Sequence, residues 1–439
     1  MTKIYVMKNF RLLAVALVMA VLSPGLMPAQ LKRSPDFKDR YKLKEAVVLS
    51  RHNIRAPLSG NGSTLGNLTT HEWNEWSSAP SELTSRGGAL ETVMGQFFRK
   101  WLVDAGLFPE NYVPTQDEVN VYTNSMQRCI ATGQYFTSGF MPMANLRVNH
   151  RYSPSKMDPI FCPQLTKVSP EFREIAMEQI SAMGGEKGIV GINEALAPNY
   201  ELIADVLDLE DSPAAKNNGM KAFDNYNTEI ILQRNEEPKM KGSLKDANSA
   251  SDAFILQYYE QPDTIKAGFG HKLTRDQWAE IAEIKDVYGD VLFTAPIVAA
   301  NVAHPLLVYL NDELSSPDRK FTLLVGHDSN IASVNAALGV EPYELPNAIE
   351  RKTPIGSKVV IEKWVDPQGE EYAALNLVYQ SPDQLRDIEL LDLDNPPMVY
   401  PLKLKGLTAN SDGLYKLSDV QKRFMEAIRA YDAIPDSME

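Results

Sequence analysis

The chain has 439 residues, 44% of them apolar and 23% charged, with a mean hydropathy of −0.27. That is the composition of a globular protein of about two or three domains, not of a disordered one. Lys and Arg number 44 against 57 Asp and Glu, a formal charge of −13, which argues against nucleic acid as the main partner; a small anionic substrate stays possible, since it needs only a local basic cluster.

Lys3, Lys8 and Arg11 lead into an apolar run over residues 12–22, followed by Ser23-Pro24-Gly25 and the small residue Ala29. A basic start, a short apolar core and a small-residue exit predict a secretory leader over 1–29. The run is too short for a membrane span of about 20 residues, and no cysteine follows it to carry a lipid anchor. Export is therefore expected. An oxidising compartment lets Cys129 and Cys162 pair; the alternative is two separate core thiols, and their spacing favours neither.

The first apolar run of the mature chain, Ala46-Val47-Val48-Leu49, leads into Ser50-Arg51-His52. An amphipathic helix follows, with Leu90, Val93, Phe97 and Trp101 on one stripe. Val119-Asn120-Val121-Tyr122 then runs through Thr123-Asn124-Ser125 into a helix carrying Arg128, Ile130, Ala131 and Phe136. Residues 166–290 read as mostly helical, with polar breaks at 211–219 and 234–251 and a net charge of −10. A third β-rich run, Phe321-Thr322-Leu323-Leu324-Val325, meets Gly326-His327-Asp328-Ser329-Asn330 and a helix over 331–338 stopped by Gly339. Strands are also expected over 359–364 and 374–379. Apolar runs alternating with helices predict an α/β fold around a parallel sheet. The expected organisation is an α/β catalytic domain over 30–165 and 291–439, with 166–290 inserted as a helical cap.

Ligands of open parallel sheets bind beyond the carboxyl ends of the strands. All three β-rich runs end in chemistry there: Arg51, His52 and Arg55; Arg128; His327 and Asp328. If the strands are neighbours, three arginines, two histidines and a carboxylate converge. Clustered guanidinium groups repel one another unless an anion lies between them, and their donor fork suits phosphate. Asp328 could instead cap the following helix, but Ser329 and Asn330 can do that as well. His71, His150, His271 and His304 lie in no motif and are expected to be ordinary surface or buried residues. Arg86 is expected to be structural.

Arg51-His52-Asn53-Ile54-Arg55-Ala56-Pro57 resembles the RHGxRxP signature of the histidine acid phosphatases, with Asn53 where most members have Gly. Gly326-His327-Asp328-Ser329-Asn330 is similar to the second signature, the HD pair. Asn53, residues 124–128, Met157-Asp158-Pro159, residues 252–260 and Thr353-Pro354-Ile355-Gly356 resemble the periplasmic glucose-1-phosphatase branch. Cys129 and Cys162 depart from that pattern, so the family's disulfides do not transfer.

The resemblance implies a phosphoglycerate-mutase-like fold, a periplasmic location and a covalent phosphohistidine mechanism. It implies His52 as nucleophile and Arg51, Arg55, Arg128 and His327 as holders of the phosphoryl oxygens. Asp328 as general acid follows from the chemistry, because an alkoxide leaves poorly without a proton. Glu237, beside Pro238, looks like the acidic residue that the helical domain of this branch projects over the pocket. The expected substrate is glucose 1-phosphate or a similar sugar phosphate, with inositol hexakisphosphate as the alternative. The acidic insertion disfavours the hexaphosphate. No cofactor, metal or membrane anchor is implied. A mutase that retains the phosphoryl group is disfavoured by export, and a phosphate receptor without catalysis would need neither His52 nor Asp328.

Overall fold

The computed structural model describes residues 33–57, 64–154 and 156–437; the expected leader lies outside them. The central sheet contains β1 (Lys42–Arg51), β2 (Val119–Thr123), β5 (Phe321–Gly326), β6 (Lys358–Val365), β7 (Glu371–Tyr379) and β8 (Met398–Pro401), ordered β2-β5-β1-β6-β7-β8, with β9 (Tyr415–Lys416) pairing to β7. β3 (Glu229–Ile231) and β4 (Lys239–Lys241) form a separate hairpin.

The three motif-bearing strands are neighbours. β5 lies between β1 and β2 and pairs with each in parallel, Arg51 in register with Gly326 and Thr123 with Val325. β6, β7, β8 and β9 are added antiparallel, so the sheet is mixed and its parallel part is confined to the strands that end at the motifs.

From Glu45 onward β1 is buried on both faces, which is why residues 46–49 read as a continuous apolar run. Its side chains alternate between layers. Ala46 and Val48 pack with Phe98, Phe136, Phe140 and Phe321 on one face. Val47 and Leu49 pack with Leu306, Leu310, Val334 and Phe424 on the other. The first layer is built by the helices Ser85–Asp104 and Gln127–Phe140, the second by His304–Leu314, Asp328–Ala337 and Leu417–Asp432. Burying each such large apolar side chain contributes about 1.5–3 kcal/mol. The helices of the first layer approach closely through glycine: a Cβ on Gly95 would lie 2.2 Å from the Phe136 carbonyl oxygen, and one on Gly139 2.0 Å from that of Thr92.

Between Thr166 and Thr294 the chain forms the helices Pro170–Ala182, Gly188–Ala195, Ala197–Val206, Ser243–Glu260 and Arg275–Phe293, with shorter turns and the β3–β4 hairpin. Their apolar faces share one cluster that includes Phe172, Ile203, Phe254, Trp278 and Ile284. We propose this stretch as a unit of its own, with its second edge at Thr294 and not at 290, because the helix Arg275–Phe293 runs unbroken through Asp290. No helix among the described residues is long and apolar enough to cross a membrane.

Candidate active site

β1 and β5 end side by side, and a cleft of 940 Å³ opens beyond them, lined by Arg51, His52, Arg55, Arg128, His327, Asp328 and Glu237. All seven residues singled out from sequence therefore share one cavity. The cleft is at the upper end of the usual range for ligand sites.

His52 is buried, and its Nδ1 lies 2.8 Å from the carbonyl oxygen of Asn53. A carbonyl only accepts, so Nδ1 carries the proton and Nε2 keeps its lone pair. Burial, reinforced by Arg128, His327, Arg55 and Arg51, holds the imidazole well below its ordinary pKa of 6.5. It stays neutral in mild acid.

The ring of His327 stands edge-on to that of His52, with centroids 5.4 Å apart. Asn124 Oδ1 accepts from the backbone N–H of Asp158 at 2.9 Å, which turns Asn124 Nδ2 toward His327 Nε2 at 2.7 Å. Nε2 accepts that bond, so the proton of neutral His327 is on Nδ1. Burial and Arg128 keep His327 neutral despite the opposing charge of Asp328.

The arginines differ in their partners. Arg51 Nη1 donates to Glu350 Oε1 at 2.5 Å and to the Thr353 carbonyl at 2.6 Å, while its Nη2 lies 3.6 Å from Asp328 Oδ2. Arg55 pairs with Asp252 at 2.8 Å. Arg128 donates to Ser81 Oγ at 2.7 Å, and burial lowers its pKa. Ser81 adopts φ 73°, a left-handed conformation rare for serine, and its N–H contacts the carbonyls of Ala56 and Pro57. It thus joins the segment after Arg55 to Arg128.

Asp328 begins the helix that follows β5. The helix start is satisfied partly by Asn330, whose Oδ1 accepts the His327 N–H at 2.9 Å, and partly by Asp328 Oδ1, which accepts the Ser329 N–H at 2.8 Å. Asp328 Oδ2 lies 2.6 Å from Lys285 Nζ. Burial alone would raise this carboxyl, but Lys285 and Arg51 outweigh it and hold the group well below the usual carboxylate value. Lys285 also lies 3.7 Å from Glu350.

Glu237 projects from the β3–β4 connection, which is tied down by backbone bonds between Leu165 and both Asn235 and Glu236. Burial raises its pKa, and its Oε1 is 3.9 Å from Cys162 Sγ. Both cysteines are free thiols. Cys129 Sγ packs against the Gly326 carbonyl and the His327 ring, while Cys162 lines the cleft. Burial pushes each up to about 12.

Sequence reasoning did not single out Lys285, Asp252, Glu350 or Ser81. Lys285 left a trace: Trp278, Ile281, Ala282 and Lys285 follow the spacing of one helix face. A lysine therefore occupies a core position, and its charge has to find a partner. Ser81 and Glu350 left none, since each acts through a loop whose path the tertiary fold sets.

The geometry combines a neutral imidazole nitrogen, a ring of cationic donors and a carboxylate at one point, the set needed to move a phosphoryl group. Residues 42–380 match the model of the histidine phosphatase superfamily (branch 2). The chain is 37% identical to a glucose-1-phosphatase of Providencia rettgeri over 96% of its own length and 99% of the relative's. It is 38% identical to a glucose-1-phosphatase of Salmonella typhimurium, covering 92% and 96% of the two chains. Among solved structures it resembles the apo form of Hafnia alvei phytase, with TM-score 0.80 and 26% identity over 88% of this chain and 97% of that one. On its motifs, its fold and the extent of these matches, the chain belongs to branch 2 of the histidine phosphatase superfamily.

Proposed function

We propose that this protein is an exported, periplasmic acid phosphomonoesterase whose main substrate is glucose 1-phosphate or a similar sugar phosphate. The observation that carries the reading is the Nδ1–H···O=C bond of His52, which presents Nε2 to a cleft lined by Arg55, Arg128 and His327. His52 Nε2 forms a bond to phosphorus as the bond from phosphorus to the sugar oxygen breaks, splitting one hard displacement into two easier ones. The arginines and His327 hold the phosphoryl oxygens and stabilise charge as the group moves. Asp328, a carboxylate in the free site, relays to the departing oxygen the proton that enters with the monoanionic substrate. It then takes one from the water that attacks the phosphohistidine, restoring His52 and releasing phosphate. Glu237, reaching in from the hairpin, suits a sugar hydroxyl.

Charge supports a monophosphate over a hexaphosphate. The cleft is lined by seven Lys and Arg against six Asp and Glu. Much of that positive charge is neutralised within the protein, Arg51 by Glu350, Arg55 by Asp252, Lys239 by Glu236 and Lys285 by Asp328. One phosphoryl group can be held there, whereas five further dianionic groups would meet little uncompensated positive charge. Similarity to Hafnia alvei phytase in complex with myo-inositol hexakis sulphate, at TM-score 0.79 and 27% identity, keeps inositol hexakisphosphate as the second substrate to test.

The test is phosphate release between about pH 4 and 7, around the histidine and phosphate ionisations, with chelator present. Glucose 1-phosphate, glucose 6-phosphate, inositol hexakisphosphate and an aryl phosphate are compared. Strongest release from glucose 1-phosphate is expected. Preference for the hexaphosphate would overturn the substrate, and a His52→Ala variant with undiminished turnover would overturn the mechanism.

A further inference from the structure

Beneath the nucleophile lies a charged pair that the chemistry above does not use. Lys358 on β6 is fully buried, as is Glu91 on the helix Ser85–Asp104. Lys358 Nζ donates to both Glu91 carboxylate oxygens at 3.1 Å, to Ser50 Oγ at 2.9 Å and to the Gly356 carbonyl at 3.0 Å. The ammonium has three protons, and three partners surround it. An enclosed ion pair rarely outperforms apolar side chains of the same volume in stability. Its retention here therefore calls for another account.

That account follows from what Glu91 touches next. Its Oε1 accepts from Asn53 Nδ2 at 2.8 Å, and Asn53 Oδ1 in turn accepts from the Ile54 N–H at 2.8 Å. The backbone of Asn53 is held as well, its N–H by Thr132 Oγ1 at 3.2 Å. The carbonyl of this residue is the one that accepts the Nδ1–H of His52. From the other side, Gly356 donates its N–H to the His52 carbonyl at 3.3 Å. Gly356 has φ 67°, and a Cβ there would stand 2.5 Å from Asn53 Nδ2. Both ends of the ion pair thus meet residues that grip His52 or Asn53.

We propose that the Glu91–Lys358 pair is a positioning device for His52: by fixing the side chain of Asn53 and the turn at Gly356, it aims the Asn53 carbonyl at Nδ1 and so keeps the lone pair on Nε2. The charges act through Asn53 and Gly356 and touch no substrate. This rests on His52 being the nucleophile, but the tautomer it predicts can be measured without turnover.

The experiment replaces the pair by apolar side chains of similar volume, Glu91→Leu with Lys358→Met, in protein carrying ¹⁵N-labelled histidine. His52 is assigned by comparison with His52→Ala. The expected result is a folded variant that binds inorganic phosphate within about twofold of wild type, because no arginine has been altered. Its kcat on an aryl phosphate should fall about tenfold, the scale of one positioning hydrogen bond. The ring nitrogens of His52 should move from the Nδ1–H pattern toward an average of the two tautomers. A folded variant with wild-type His52 shifts and wild-type kcat would overturn the proposal.

If the double variant does not fold, Asn53→Ala leaves the ion pair in place and removes the side-chain amide it grips. The same shift toward mixed tautomers is expected, and an unchanged Nδ1–H pattern overturns the proposal. Should His52→Ala retain activity, the nucleophile assignment fails while the tautomer result still stands on its own.

Discussion

Replacing Lys285 by Met should move one limb of the pH profile and leave the other where it is. Both oxygens of Asp328 are occupied by donors, Oδ1 by the Ser329 N–H and Oδ2 by Lys285 Nζ at 2.6 Å, with Arg51 at 3.6 Å. The free site therefore holds a carboxylate, and the proton needed by the sugar oxygen enters with the substrate as its monoanion. The second ionisation of a phosphate monoester lies near about 6. The productive complex carries a single proton, so kcat/KM falls on the acid side where Asp328 titrates and on the alkaline side where the substrate does. The Asp328 side chain is 35% exposed, so solvent screens its pairing with Lys285. Contact at this distance with an effective dielectric between the surface and bulk-water values gives about 1.5–3 kcal/mol, or about 1–2 pH units. In Lys285→Met the acid limb for glucose 1-phosphate should rise by that amount, and the alkaline limb should stay. An aryl phosphate leaves without a proton, so its acid limb reports His52 and should not follow. An unmoved sugar-phosphate limb, or equal shifts on both substrates, would refute the assignment of the proton to Asp328.

Three further outcomes are expected. Asp328→Asn should lower sugar-phosphate turnover by about 10²–10⁴ and aryl-phosphate turnover far less; steady-state kinetics on both substrates separates proton donation from mere positioning, which predicts equal losses. Ser81→Ala removes the hydroxyl that Arg128 donates to, a charge-assisted bond worth about 1.5–3 kcal/mol. Inhibition by inorganic phosphate should weaken by about tenfold or more, and Ser81→Gly should weaken it as much without lowering Tm, since glycine accepts φ 73° freely. Glu45 concerns stability: burial raises its carboxyl from 4.5 to about 8, against the attraction of Lys363. Between those values the folded chain holds a proton that the unfolded chain has lost, so stability is full below about pH 4.5 and declines as pH rises toward 8. The decline amounts to at most about 5 kcal/mol. Urea titrations of Glu45→Gln across this range should show a flatter dependence on pH, and a slope equal to wild type would refute the burial argument.

What could be read from the chain in advance depends on how local the cause is. The middle of β1 is enclosed by two layers, so the residues there are apolar on both faces, and Ala46-Val47-Val48-Leu49 announces it. The strand-end groups Arg51-His52, Arg128 and His327-Asp328 were legible for the same reason, because polar chemistry next to a buried strand stands out. The antiparallel pairing of β6 was not legible: its apolar run fits either direction, and only the register of Val47 with Ile361 decides it. Cys129 and Cys162 were equally ambiguous. Packing gives each its own surroundings, Cys129 against His327 and Cys162 near Glu237, and leaves both reduced.

The sequence by itself determined the α/β class and the gathering of arginines, histidines and an aspartate beyond strand ends, a set suited to a phosphate anion. These follow from periodicity, burial and residue chemistry within a few positions of one another. Tertiary structure alone decided that β5 lies between β1 and β2, which turns three separate motifs into one cleft. It also brought Lys285 to Asp328, 43 positions away, and Lys358 to Glu91, 267 positions away. Such pairs have no sequence period. A buried charge must meet its opposite, but which opposite it meets is settled by the packing of whole helices and strands.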